Sequence, residues 1–111
     1  MHLYVEAWKA RPAWLALSQA EREQFFGVIG EEIGKQIGAG CELLGVARND
    51  ADAPRRADYD YVAVWKIPDQ GRVHAFEETW ERVGFHDYFE QVNIRGELME
   101  PEPFAGHMIG L

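Results

Sequence analysis

The chain has 111 residues, 47% of them hydrophobic, 27% charged and 13% aromatic, with four tryptophans and a formal net charge of −8. That length fits one domain over residues 1–111 with a single core, and the acidity argues against nucleic acid and anionic membrane surfaces, which demand clustered Lys and Arg. The lone Cys41 excludes an internal disulfide and a thiolate metal cluster within one chain.

His2 to Lys9 alternates, with His2, Tyr4, Glu6 and Trp8 on one side and Leu3, Val5 and Ala7 on the other. This predicts a strand with one mixed aromatic-polar face and one aliphatic face. Arg11-Pro12 breaks it, and Ala13–Leu17 is expected to turn Trp14, Leu15 and Leu17 inward. Ser18-Gln-Ala-Glu21 has the spacing of a capping box. The helix after it carries a stripe of Phe26, Ile29, Ile33 and Ile37, with Phe25 beside it, and ends at Gly38 and Gly40. Gly27, Gly30 and Gly34 inside that helix mark either close packing or tolerance.

Cys41–Asn49 reads as a second strand, and Asp50–Ala57 as an exposed hairpin connection. Asp58–Ile67 is dense in β-branched and aromatic residues. Tyr59, Tyr61, Ala63 and Trp65 share one side, and Val62 and Val64 the other, so this is an inner strand covered on both faces. Asp69 caps a second helix with the stripe Val73, Phe76, Trp80 and Val83, closed by Gly84. Phe85–Phe89 is expected as a packed turn and Gln91–Leu98 as a strand. Pro101 and Pro103 interrupt the chain, and His107–Leu111 is expected to pair as a short final strand.

The order is β-α-β-β-α-β, so the expected class is α+β: a ferredoxin-like antiparallel sheet with two helices on one face and a short extra C-terminal strand. Two helices cover only one face of such a sheet, and the sequence leaves open which one. Either candidate for the bare face is too apolar for bulk water, so a homodimer closed through that face is expected. No signal-peptide pattern and no apolar run of membrane-spanning length occurs, which makes a cytoplasmic protein the expectation.

The opening strand, the Arg11–Arg22 run, Tyr61–Lys66 and Phe85–Val92 resemble the dimeric α/β-barrel superfamily. Pro12–Ser18 and Tyr88–Val92 are the most specific parts, and they look nearest to darcynin-type and related uncharacterised bacterial proteins. The resemblance covers nearly the whole chain and implies a fold and a dimer. It does not imply one activity, because the superfamily includes cofactor-free monooxygenases, haem-degrading enzymes, isomerases, chlorite dismutases and members without known activity. The haem-degrading pattern of an Asn on the first strand, a Trp on the second helix and a following His is matched here only by Trp80.

The candidate ligand pocket joins Tyr4, Trp8, Trp65 and Asn93 of the aromatic-polar face to Trp80 of the second helix. Glu6, Tyr61 and His86 are the candidate catalytic groups. A Glu among aromatics is placed to titrate high and act as a base. The competing reading of Glu6 is a dimer seam in which it pairs with Arg48 or Arg95. The histidines show no metal-ligand spacing, so neither a metal nor a cofactor is expected. The leading functional expectation is a dimer that binds a hydrophobic or aromatic small molecule between sheet and helices. The alternatives are a cofactor-independent monooxygenase or isomerase, and a structural or regulatory dimer without a ligand site.

Overall fold

Strand alternation gives the sheet two chemically distinct faces, and helix packing covers one of them. The computed structural model describes residues 1–111 as β1 (His2–Ala10), α1 (Pro12–Leu15), α2 (Gln19–Gly38), β2 (Glu42–Arg48), β3 (Tyr61–Ile67), α3 (Gln70–Arg82), α4 (Phe85–Tyr88), β4 (Phe89–Glu97) and α5 (Pro101–Ile109). The sheet order is β2-β3-β1-β4 and every pairing is antiparallel. This α+β arrangement, with β1 and β3 in the centre, is consistent with a ferredoxin-like fold.

The register sets Tyr4 opposite Trp65 and Glu6 opposite Ala63, while Val5 faces Val64 and Ala7 faces Val62. Tyr4, Glu6, Ala63, Trp65 and Ile67 are buried, together with Val73, Phe76 and Trp80 of α3. Helices α2 and α3 therefore sit on the aromatic-polar face, which answers the question the alternation left open. Leu3, Val5, Ala7, Val62, Val64, Val92 and Ile94 form the bare side, and Ile94 is 75% exposed. The molecule is only 19 Å thick in its shortest direction, one sheet and one helix layer deep.

The caps form as their sequences require. Ser18 Oγ accepts from the amide of Glu21, and Glu21 Oε1 accepts from the amide of Ser18. Asp69 Oδ1 accepts from the amide of Arg72 at 2.8 Å. Asp69→Ala is expected to cost about 1 kcal/mol of folding stability, read by urea denaturation. Gly84 closes α3 at φ 77°, a left-handed conformation that disfavours any side chain. A Cβ on Gly27, Gly30 or Gly34 would meet nothing within 4 Å, so close packing does not require glycine there.

Three expectations are corrected. First, α2 buries Ile29, Glu32 and Gln36, whereas Phe26 and Ile37 stay about half exposed. The reason is a polar seam with α3. Glu32 lies between Lys35 and Arg82, each at 3.3 Å, and Gln36 Nε2 donates to Thr79 Oγ1 at 3.1 Å. Burial pushes the Glu32 carboxyl up, but the hydrogen bonds and charges of Lys35 and Arg82 outweigh it and hold the group low. Second, Leu15 points outward, and only Trp14 and Leu17 of the lead-in are half-buried. Third, the C-terminal segment is helix α5, and His107–Leu111 forms no strand. Pro101 occupies the first position of α5, where its missing N–H costs nothing, so the prolines that read as breaks begin a helix.

Candidate functional site

Because α2 leans on α3 through its polar seam, its Phe26, Ile29 and Ile33 side overlooks the sheet across an open cleft of about 790 Å³. Sixteen of the nineteen lining residues are hydrophobic, and the exceptions are Glu6, Arg22 and Arg48. All four tryptophans of the chain, Trp8, Trp14, Trp65 and Trp80, line it. The floor comes from β1 and β3 (Glu6, Trp8, Tyr61, Ala63, Trp65), and one side from Leu43, Val46 and Arg48 of β2. At the opposite side Trp14 packs on Phe26 and Phe89 with ring centroids 5.3 and 4.8 Å apart, and Phe85 stacks on Phe89 at 4.7 Å.

Glu6 is the polar centre of this floor and is 8% exposed. Trp65 Nε1 donates to its Oε1 at 2.8 Å, and Gln91 Nε2 donates to its Oε2 at 3.1 Å. Burial outweighs both hydrogen bonds and pushes the carboxyl from an ordinary 4.5 up to about 7. Its cross-strand neighbour is Ala63, whose single methyl leaves space above the carboxyl. A larger side chain there would fill the floor. Two polar atoms nearby lack partners: Gln91 Oε1 and Trp80 Nε1 are both buried without a hydrogen bond.

Of the expected site residues, the structure brings Glu6, Tyr61, Trp8, Trp65 and Trp80 together in the cleft. Tyr4 is elsewhere. It is sealed beneath α3 against Phe76, donates to Glu77 Oε2 at 2.8 Å, and has its phenol raised by burial and then by that bond. Asn93 is exposed on edge strand β4 and accepts from Gln91 Nε2 at 2.7 Å. His86 lies outside the cleft, with Nε2 3.6 Å from Glu81 Oε1 and its carbonyl accepting from Arg11 Nε. The Glu6 ion pair is corrected as well. Arg95 bonds Glu77 at 2.9 Å, Arg48 has no carboxylate partner, and Glu6 faces the helices, away from the bare side of the sheet.

Trp14, Phe26, Phe85, Phe89, Arg22 and Arg48 are lining residues that the strand patterns did not mark. The adjacent Phe25-Phe26 pair was the available signal, and both rings pack on Trp14, at 5.8 and 5.3 Å between centroids. No His, Cys or Met lines the cleft, so it offers no imidazole, thiolate or thioether to an iron or other metal. Cys41 is buried, and burial raises its thiol, which suits an inert core residue.

This architecture, a four-stranded antiparallel sheet in the order β2-β3-β1-β4 with helices packed on one face, is consistent with a ferredoxin-like fold. A crystal structure of a putative chlorite dismutase superposes with a TM-score of 0.66 at 15% identity, over 96% of this chain and 47% of that one. The chain thus spans about half the length of that protein, and the likeness is one of fold. No curated protein matches the chain. The chain belongs to the family of unknown function DUF6616, whose model matches residues 1–111. No helix is long and apolar enough to cross a membrane.

Proposed function

We propose that this protein binds an apolar or aromatic small molecule in the cleft between α2 and the sheet, and that it does so as a homodimer closed through the bare sheet face. One observation carries the binding reading: an open cleft of about 790 Å³, walled by aromatic and aliphatic side chains around a single buried carboxyl. That volume and makeup are those of small-molecule sites in general. An interior filled by its own side chains would have favoured a structural or regulatory dimer, and the cleft weighs against that alternative.

The dimer reading rests on the bare face. Leu3, Val5 and Ile94 continue there onto Leu98 and Met99, which precede α5, and Phe104 within it, which makes one contiguous apolar surface. Such a surface is stable in water only when something covers it. The narrower kinship with darcynin-type proteins rests on Pro12–Ser18 and Tyr88–Val92 alone.

A second reading, acid–base catalysis without a cofactor, is favoured by Glu6. A carboxyl that titrates near neutrality can take a proton and return it at working pH. Tyr61 shares the cleft with it and is the group best placed to assist. His86, outside the cleft, would need to move to take part.

The binding test uses anilinonaphthalene sulfonate as probe and Val46→Trp as the variant. Val46 lines the cleft and is 66% exposed, so a larger side chain there obstructs the entrance without disturbing the core. The expected result is saturable, blue-shifted probe emission at one site per protomer, weakened by at least about tenfold in Val46→Trp, as excluding a buried ring would require. Unsaturable binding, or equal affinity in the variant, would overturn the reading.

A further inference from the structure

We propose that the cleft selects amphipathic acids: Arg48, on the β2 side, holds the ligand's carboxylate, Arg22 adds a second positive charge across the cleft, the aromatic walls hold the apolar body, and Glu6 meets a hydroxyl at its inner end. This rests on the binding reading above and adds the ligand's chemical class.

The charges of the lining carry the argument. In a chain with 19 acidic residues against 11 basic ones, the charged groups on the cleft are two arginines and the buried Glu6. Neither Arg48 nor Arg22 has a carboxylate within 4 Å, so no internal partner competes for a ligand's negative charge. Arg48 is exposed and projects from the helix side of β2, opposite Tyr61. Arg22 is partly tethered, with Nε donating to the Trp14 carbonyl at 3.2 Å and Nη2 to the Leu15 carbonyl at 3.0 Å, and its guanidinium lies 5.7 Å from the Trp14 ring. Those bonds fix the guanidinium beside Trp14 and leave Nη1 free to donate. A planar donor fork of this kind suits carboxylate better than an ammonium does.

The opposite end of the cleft sets the ligand's direction. Arg48 lies two strands across and two residues along from Glu6, about 12 Å between backbones on ordinary strand spacings. An acid entering with its carboxylate inward would bring a second negative charge against Glu6, so the carboxylate stays with the arginines. The inner end then lies over the Glu6 carboxyl, which lines the floor of the cleft. A ligand hydroxyl there can donate to Glu6. An apolar hydroxy-acid of this length fits both ends.

The test compares naphthaleneacetate with its uncharged methyl ester, reading the quenching of the four tryptophans. The expected result is an acid that binds about tenfold tighter than the ester at low salt, the gain of one charge-assisted hydrogen-bonding contact. That ratio should fall toward one in Arg48→Ala and in high salt, with Arg22→Lys as a milder second variant that keeps the charge. Equal affinities for acid and ester, or an undiminished ratio in Arg48→Ala, would overturn the proposal while leaving the cleft as a binding site. Failure of both probes to bind would overturn it together with the binding reading.

Discussion

Glu6→Gln is expected to stabilise the folded protein by about 3 kcal/mol at pH 8 and to leave it nearly unchanged at pH 4. The folded carboxyl titrates near 7 and an unperturbed one at 4.5. Below 4.5 both folded and unfolded chains hold the proton, so nothing is lost. As pH rises toward 7 the unfolded chain releases it and the folded chain does not, so the unfolded state gains ground. Above 7 the folded chain must carry a buried charge, and the cost is complete. An amide at this position is neutral throughout, can accept from Trp65 Nε1, and can donate to the otherwise orphaned Gln91 Oε1. Urea denaturation of both proteins across this pH range gives the difference directly. Glu21 and Glu32, which are held low, act in the opposite sense, losing stability as pH falls, but they are common to both proteins and cancel. A wild-type curve parallel to that of the variant would refute the burial of Glu6. If the protein is an enzyme, the same substitution abolishes turnover with the fold intact. A simple binder keeps most of its affinity.

Ile94→Lys is expected to convert a dimer into a folded monomer. Within one protomer Ile94 is 75% exposed on β4, so the substitution removes almost no packing there. Across a two-fold interface it appears twice and places two unpaired ammonium groups where Val5, Val64 and Val92 meet their copies. Dimer dissociation should strengthen by a factor of about a hundred or more, the usual scale for a lost central anchor. Sedimentation equilibrium at micromolar protein, with circular dichroism to confirm folding, separates the outcomes. A wild type that is already monomeric at that concentration would sink the interface.

The sheet was the part most legible from sequence, because strand alternation is local and strict. Tyr4, Glu6 and Trp8 had to share a side, as did Val62 and Val64, and the caps at Ser18 and Asp69 were equally local. The cleft was legible only by half. Glu6, Tyr61, Trp8 and Trp65 could be placed on one face, but the gap above them comes from how α2 sits. Glu32 and Gln36 tie α2 to α3 across 50 and 43 positions, contacts that no periodicity encodes. The same two polar residues displaced Phe26 and Ile37 from the buried stripe. Tyr4 was assigned to the pocket because it shares a face with Trp8, yet its hydroxyl is claimed by Glu77 one helix away. In α5, prolines at the first turn were indistinguishable by type from prolines that break a strand.

The account stands on a carboxyl kept out of water at the floor of an otherwise apolar cleft. The most direct measurement is a carbon-13 NMR titration of the Glu6 side-chain carboxyl in the intact protein. A midpoint near 7 is the predicted result. A midpoint near 4.5, the value of a solvated glutamate, would contradict it.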